Sequence, residues 1–298
     1  MEATPYVYFW PSYAFFPMCS AIFLIYTNLT LYVVSIILYY LVPSDIMDNF
    51  IIKWVTCIKS YFSVGIAKVE KNISKTFKIK VLYPIPEKSL NIWHPHALLA
   101  ITPGIHNVYR ITKKYKPTKF AVANIFHMFP FVRDWMRIVN TISTDYDIMK
   151  KTLETESLSI VLGGAKEMNQ SNGKHLKLVI KERTGIFKLA LETGTPLVPI
   201  LTYGETELFP SSFSSFNEFL YDMWKISIPI PTLTSIQNWF ELWNGPLQTI
   251  QSYTGKPISV EKQEPTDKKI RILRKKYIKN VLELFKKTNP GGYTLEII

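Results

Sequence analysis

The first fifty residues of the chain carry almost no charge. Glu2 is the only charged residue before Asp45, and no lysine or arginine occurs before Lys53. The sequence from Lys53 onward therefore carries more than the whole net charge of +12. An apolar, uncharged segment followed by a basic one is typical of a protein held against an anionic membrane surface. Nucleic acid is not expected as a partner, because the sequence contains no nucleic-acid-binding motif and no disordered basic tail.

Cysteine is also scarce. Cys19 and Cys57 are the only two, and they show no CxxC spacing. They provide no disulfide framework, so a reducing environment on the cytosolic side of a membrane is expected. No serine or cysteine lies in a nucleophile motif such as G-x-S-x-G, so a covalent acyl-enzyme is not expected.

Residues 15–42 contain no charged side chain. A membrane-spanning helix needs about 20 apolar residues, so this stretch is long for one span and short for two. Pro17 and Pro43 lie near its ends and Asn28 interrupts its middle, so a shallow hairpin and one tilted helix both fit; a buried helix of a soluble protein is the alternative. No basic residue precedes the run and no small-residue cleavage site follows it, which disfavours a signal peptide. We predict a membrane-embedded segment over residues 1–44 and a globular domain over residues 45–298, facing the cytosol.

The globular part alternates two kinds of pattern. Short runs rich in β-branched and aromatic residues predict strands at 78–83, 90–93, 119–123, 158–162, 197–203 and 247–253. Helix-like stretches lie near 46–62, 131–140, 145–152, 185–192 and 267–287. This alternation predicts an α/β fold with a central, mostly parallel sheet flanked by helices.

Two segments leave alternatives open. Residues 209–243 are rich in phenylalanine and tryptophan but show no clean period. They fit an aromatic loop at a membrane interface or an acyl tunnel, and equally an insertion with its own small core. The helix at 267–287 has an apolar stripe that predicts core packing, with membrane-surface contact as the alternative. The stripe consists of Ile270, Leu273, Tyr277, Val281 and Leu284.

His94 and His96 flank Pro95 directly after a predicted strand. An imidazole can accept a proton near neutral pH, so a histidine here could deprotonate an alcohol for attack on an acyl thioester. Alternate residues of an extended segment share a side, so the pair could instead bind a metal. Zinc would need further ligands, however, and the remaining histidines show no ligand spacing. A general base is therefore favoured, and no metal is expected.

Three further motifs follow in order. The first is the run from Gly163 to Glu167, the second begins at Arg183 and Gly185, and the third is Tyr203-Gly204-Glu205 after a Leu-Val-Pro strand. With the histidine motif, at these spacings, they closely resemble the type 2 diacylglycerol acyltransferase and monoacylglycerol acyltransferase family. The resemblance extends from about residue 61 to the C-terminus.

The resemblance implies an acyl-CoA-dependent O-acyltransferase, with residues 45–298 as a glycerolipid-acyltransferase-like domain. Acyl-CoA would be a co-substrate, and no cofactor is implied. The expected reaction transfers a fatty acyl group to the hydroxyl of a neutral lipid, foremost diacylglycerol, giving triacylglycerol. Monoacylglycerol, a wax alcohol or a lysophospholipid are alternative acceptors, and a catalytically silent lipid-binding membrane protein is the non-enzymatic alternative. The implied location is the endoplasmic reticulum membrane or a lipid droplet; homo-oligomerisation stays open.

The resemblance also implies roles for the histidine motif. His96 corresponds to the family's proposed general base, and His94 would orient or gate it. Ala97 stands where the family usually has glycine. Related glycerol-phosphate acyltransferases carry an orienting aspartate five residues after the histidine, where this chain has Ile101. Glu167 is therefore the candidate orienting carboxylate, with a helix-start carboxylate or a structural ion pair as the alternative.

The remaining motifs suggest substrate contacts. Gly163 and Gly164 form a turn whose N–H groups could stabilise an oxyanion, although plain turns also contain such pairs. Arg183 and Lys174 are candidates for the phosphates of acyl-CoA, with a solvated surface position as the alternative, especially for Lys174. Gly204 and Glu205 are expected beside the pocket, where Glu205 would be a scaffold or second-site carboxylate.

Overall fold

The computed structural model describes residues 71–98, 100–106, 118–129, 132–170, 173–211, 214–224, 227–228 and 230–298, with isolated positions between Tyr39 and Cys57. The choice between a hairpin and a single span over residues 15–42 lies outside the described residues, as does most of the helix predicted near 46–62. In the described part of the chain, no helix is both long and apolar enough to cross a membrane.

The described elements alternate between strands and helices, as the sequence predicts. The strands are β1 (Phe77–Lys80), β2 (Leu90–His94), β3 (Lys119–Val122), β4 (Thr141–Ser143), β5 (Leu158–Val161), β6 (His175–Leu178), β7 (Leu197–Tyr203), β8 (Ile250–Thr254) and β9 (Thr294–Ile297). The helices are α1 (Ile101–Ile105), α2 (Val132–Ile138), α3 (Tyr146–Thr155), α4 (Gly164–Gln170), α5 (Gly185–Thr193), α6 (Glu205–Leu208), α7 (Ser214–Trp224), α8 (Leu233–Asn244) and α9 (Asp267–Thr288), with a short 3₁₀ helix at Asn124–His127.

Seven strands form one sheet in the order β1-β8-β7-β2-β5-β3-β4. Every pairing is parallel except that of β7 with β8. The prediction of a mostly parallel sheet is therefore confirmed. Strands β6 and β9 form a separate parallel pair, which the sequence analysis did not predict.

Helix α9 shows why the C-terminal part of the sequence folds as predicted. Its N-cap Thr266 accepts a hydrogen bond from the backbone N–H of Lys269, while Lys286 and Lys287 lie in its last turn, where positive charge is favourable. All five residues of its apolar stripe are buried. They pack into the cluster formed with α5 and strand β7, so core packing is confirmed for this stripe.

Residues 209–243 contain two helices, α7 and α8, rather than one aromatic loop. Among the described residues of this segment, Phe209, which precedes α7, and Leu242 of α8 join a cluster that includes Ile101 from α1 and Val132 from α2. The segment is thus packed on the main body of the domain.

Candidate functional site

The histidine, double-glycine and Gly-Glu motifs meet at one edge of the sheet. Strand β2 ends at His94, β5 ends at Val161 just before Gly163, and β7 ends at Tyr203 just before Gly204. Because β2 lies between β5 and β7 and is parallel to both, the carboxyl ends of the three strands lie side by side. Ligands of open α/β sheets bind beyond the carboxyl ends of the strands. This edge is therefore the candidate active site.

His94 is completely buried at this edge. Its Nε2 lies 3.0 Å from the hydroxyl oxygen of Tyr277, and its Nδ1 lies 3.5 Å from Oε2 of Glu167. The peptide bond to Pro95 is cis. Only Nε2 is hydrogen-bonded, and the approach of Nδ1 to Glu167 is a charge contact without hydrogen-bond geometry. Because its ring is completely buried, His94 is placed to support the site rather than to meet a substrate.

His96 is partly exposed. Its Nδ1 lies 2.5 Å from the carbonyl oxygen of Ala97. A carbonyl can only accept, so Nδ1 carries the proton and the neutral ring presents an unprotonated Nε2. Desolvation lowers the pKa of His96, and the Ala97 hydrogen bond and the charge of Glu167 oppose this only partly. His96 is thus a neutral imidazole able to accept a proton near pH 7.

Glu167 lies in the first turn of α4 and is completely buried. Its Oε1 accepts the backbone N–H of His96 at 2.6 Å, and its Oε2 accepts the backbone N–H of Val179 at 2.9 Å. The carboxylate therefore contacts the backbone of His96 and the ring of His94. The His96 ring is hydrogen-bonded to the carbonyl of Ala97, while Glu167 reaches His96 through the backbone N–H.

The Gly163–Gly164 turn lies against the same carboxylate. A Cβ atom on Gly163 would overlap the side chain of Glu167, and Gly164 has a φ of +58°. Arg183 donates from Nη2 to the carbonyl oxygen of Gly163 at 2.6 Å. The structure thus brings Gly163, Gly164, Glu167 and Arg183 together beside the histidine pair.

Lys174 has different neighbours. Its exposed side chain lies 4.0 Å from a carboxylate oxygen of Glu207 and 5.8 Å from the ring centre of Tyr293. Arg183 instead contacts the Gly163–Gly164 turn. The two side chains predicted to hold acyl-CoA phosphates therefore contact different parts of the domain.

Glu205 supports the helix that follows the histidine motif. It comes after Gly204, whose φ is +96°, and its Oε1 accepts the backbone N–H groups of Ile101 and Thr102 at 2.7 and 3.2 Å. Burial raises the pKa of Glu205 to about 7. Glu205 thus joins the start of α1 to the carboxyl end of β7.

One side chain of the site, Tyr277, was predicted from the sequence only as a core residue. A signal was available, because Tyr277 is the only member of the α9 stripe with a polar atom, and buried tyrosine hydroxyls usually find a partner. The identity of that partner, 183 residues away, could not be read from the sequence. Within the described residues, no group of three or more histidine, cysteine, aspartate or glutamate side chains could hold a metal ion.

Comparisons with known proteins agree on one family. The family model for diacylglycerol acyltransferase matches residues 15–290. The 2-acylglycerol O-acyltransferase 1 of Mus musculus is 27% identical over 221 residues, which cover 67% of this chain and 65% of that protein. The diacylglycerol O-acyltransferase 2A of Umbelopsis ramanniana is 26% identical over 219 residues, covering 65% of this chain and 60% of that protein.

Among solved structures, the 1-acyl-sn-glycerophosphate acyltransferase PlsC of Thermotoga maritima is similar over 96% of this chain and 97% of that chain, with 13% identity and a TM-score of 0.44. The chain spans less than two thirds of the length of the two relatives named above. The family model, however, covers most of the chain. The chain therefore belongs to the diacylglycerol acyltransferase family.

Proposed function

We propose that the protein transfers a fatty acyl group from acyl-CoA to the hydroxyl of an acylglycerol. The observation that carries the proposal is the neutral, partly exposed imidazole of His96 at the carboxyl edge of the sheet. Family membership supports the reaction class. Diacylglycerol is the proposed acceptor, and triacylglycerol is then the product.

The reaction needs one base and no covalent enzyme intermediate. Nε2 of His96 takes the proton of the acceptor hydroxyl while the oxygen attacks the thioester carbonyl. The tetrahedral intermediate then collapses, the carbon–sulfur bond breaks, and the coenzyme A thiolate takes the proton from the His96 imidazolium. Ester and free coenzyme A are released, and His96 returns to its neutral form. Donors near the Gly163–Gly164 turn are proposed to stabilise the oxyanion.

The direct test measures radiolabelled oleoyl-CoA turnover by the purified full chain in detergent–lipid micelles. The acceptor panel contains diacylglycerol, monoacylglycerol, a long-chain alcohol and a lysophospholipid. We expect triacylglycerol as the main product. Preference for another acceptor would replace diacylglycerol within the same reaction class. No acyl transfer to any acceptor would contradict the proposal and favour a silent lipid-binding protein.

Arg183 is proposed to contact the phosphates of acyl-CoA. Its positively charged guanidinium lies beside the Gly163–Gly164 turn of the candidate site, where Nη2 donates to the Gly163 carbonyl. Arg183→Gln should raise the KM for acyl-CoA about tenfold, since a hydrogen bond to a charged group contributes roughly 1.5–3 kcal/mol. The KM for the acceptor should change much less. Steady-state kinetics with each substrate varied in turn provide the measurement.

Arg274→Gln is the matched control for Arg183→Gln. Arg274 also donates to a backbone carbonyl, that of Lys181, but it is a partly exposed residue of α9. Arg274→Gln should leave both KM values unchanged.

Lys174→Gln tests the second proposed phosphate contact and should raise only the KM for acyl-CoA. A change confined to the acceptor KM in Arg183→Gln would place the donor site elsewhere.

A membrane is the second proposed partner, on the cytosolic face of the endoplasmic reticulum or of a lipid droplet. Helix α7 exposes Phe216, Phe219 and Met223, which are spaced to share one side of the helix. Helix α8 exposes Leu233 and Phe240, two turns apart. Exposed apolar stripes of this kind favour lipid or protein contact. Helix α7 also packs against α4, which carries Glu167, so a bilayer on this side would present its lipids next to the site.

Site-specific crosslinking tests this membrane contact. A benzoylphenylalanine photoprobe replacing Phe219 should label radioactive phospholipid when the full chain is embedded in membranes. The same probe replacing Ile272 on α9 is the control, because the two side chains are almost equally exposed, at 56% and 58%. Equal labelling at both positions, or none at Phe219, would contradict the proposed orientation.

The uncharged run at 15–42 should also make the protein resist extraction by alkaline carbonate.

A further inference from the structure

Tyr277 is a buried polar side chain that the mechanism above leaves unused. It lies in the middle of α9 and is completely buried. Its ring packs edge-on against Phe187, with ring centres 5.6 Å apart. Its hydroxyl, however, points out of this apolar cluster to Nε2 of His94 at 3.0 Å. The C-terminal helix thus places a hydrogen-bonding group against the first histidine of the motif.

The direction of this hydrogen bond follows from its surroundings. Burial, with a smaller effect of the Glu167 charge, raises the pKa of Tyr277 well above its usual value, so the hydroxyl keeps its proton. Among the described residues, the hydroxyl has no hydrogen-bond acceptor other than His94 Nε2. Tyr277 therefore donates to Nε2, which leaves Nδ1 as the ring nitrogen that carries hydrogen. Nδ1 lies 3.5 Å from Oε2 of Glu167, in a charge contact without hydrogen-bond geometry.

Glu167 connects the ring of His94 with the backbone of His96. Its two oxygens accept the backbone N–H groups of His96 and Val179. A hydrogen bond thus joins Tyr277 to His94, a charge contact joins His94 to Glu167, and a hydrogen bond joins Glu167 to the backbone of His96.

We propose that Tyr277 is a positioning residue, whose hydroxyl keeps His94 in the Nδ1–H tautomer and thereby holds Glu167 and the backbone of His96 in place for acyl transfer. This inference rests on the proposed function, because that function assigns the base to His96. Without the hydroxyl, Nε2 of His94 is a buried acceptor with no donor. The opposite tautomer would turn the Nδ1 lone pair towards the Glu167 carboxylate, and the two would repel each other.

The kinetic test uses Tyr277→Phe, which keeps the ring and its contact with Phe187. We expect kcat to fall roughly 10- to 100-fold, since a displacement of about 1 Å at a reacting group can cost 10²-fold. Both KM values should stay near those of the wild type, because Tyr277 is completely buried and offers no surface to a substrate. An unchanged kcat would overturn the proposal.

Thr288→Val is the matched control. It lies on the same helix, and its hydroxyl is 3.0 Å from the hydroxyl of another buried tyrosine, Tyr203. Thr288→Val therefore also removes a hydrogen bond between a buried tyrosine and α9, but this tyrosine is hydrogen-bonded to neither histidine. We expect a comparable fall in the melting temperature with unchanged kcat. An equal fall of kcat in both variants would reduce Tyr277 to a structural role.

A spectroscopic test separates this inference from the proposed function. Nitrogen-15 NMR of the histidine-labelled full chain in detergent reports which ring nitrogen carries the proton, and a His94→Asn variant assigns the signals. The wild type should show His94 as the Nδ1–H tautomer, and Tyr277→Phe should lose that signature. An Nε2–H tautomer in the wild type would refute the inference even if acyl transfer is present. If the wild type transfers no acyl group, the proposed function fails, while the tautomer still decides whether Tyr277 holds His94.

Discussion

Replacing His96 by glutamine is expected to lower the rate of acyl transfer by about 10²–10⁴-fold, the usual contribution of general-base catalysis. Glutamine keeps the side chain close in size and able to form hydrogen bonds, but it cannot accept the proton of an alcohol at neutral pH. Because the backbone N–H of His96 makes the contact with Glu167, this contact survives the substitution. The variant should therefore remain folded and inactive, as measured by labelled oleoyl-CoA turnover and thermal unfolding.

The control for His96→Gln is the same exchange at His175. His175 is an exposed histidine on β6, paired with Thr294 and Glu296 of β9. His175→Gln should retain full activity. Turnover near the wild-type level in His96→Gln would exclude His96 as the base. Loss of both activity and folded structure would instead assign His96 a structural role.

The pH profile gives a second check on His96. Protonation of the ring blocks general-base catalysis, so kcat/KM falls as the pH drops through the pKa of His96. Desolvation lowers this pKa from its ordinary value near 6.5. The acid limb of kcat/KM should therefore lie below pH 6.5, and it should be missing from the residual activity of His96→Gln. An acid limb above pH 6.5 would contradict the environment described for the ring.

The sheet and the position of the site could be predicted from the sequence because both depend on local patterns. Strands β2, β5 and β7 are compact runs of apolar residues, and each is followed at once by a motif with chemical character. Parallel strands bring such motifs to one edge, so the convergence of His96, Gly163 and Glu205 follows from the order of elements. Three strands were missed. β4 has only three residues, and β6 (HLKL) and β9 (TLEI) interrupt their apolar residues with histidine, lysine, threonine or glutamate, so they do not stand out as apolar runs.

The contacts within the site depend on long-range packing. Glu167 reaches the backbone of a residue 71 positions away, and Tyr277 reaches His94 across 183 positions. No local pattern specifies which polar atom a buried side chain will meet. The same limit explains why Lys174 and Arg183, similar in charge and close in sequence, have different neighbours. Residues 209–243 were ambiguous for another reason, since large aromatic residues such as Phe216, Phe219 and Phe240 are exposed on α7 and α8, so hydrophobicity does not mark the buried side of these helices.

Replacing Gly163 by alanine is expected to abolish acyl transfer and to destabilise the domain. The added methyl group would overlap the side chain of Glu167, including its Cβ, which cannot move away by rotating. Glu167 would have to leave its position, and the backbone N–H groups of His96 and Val179 would then lose their hydrogen-bond acceptor. Each buried donor left unpaired costs about 1–3 kcal/mol, so with two donors the free energy of unfolding should fall by roughly 2–6 kcal/mol. Denaturant unfolding and acyl-transfer assays of the full chain provide the measurements.

Gly245→Ala is the matched control for this substitution. Gly245 follows α8, has an extended backbone with a φ of −161°, and has open space where a Cβ would lie. Alanine there should leave both stability and activity close to those of the wild type, because an added methyl group meets no neighbour. If Gly163→Ala also behaved like the wild type, the close approach of the turn to Glu167 would be wrong. Loss of activity with unchanged stability would mean that Glu167 moves while the backbone N–H groups of His96 and Val179 keep an acceptor. The position of Glu167 would then matter more to the reaction than to the fold.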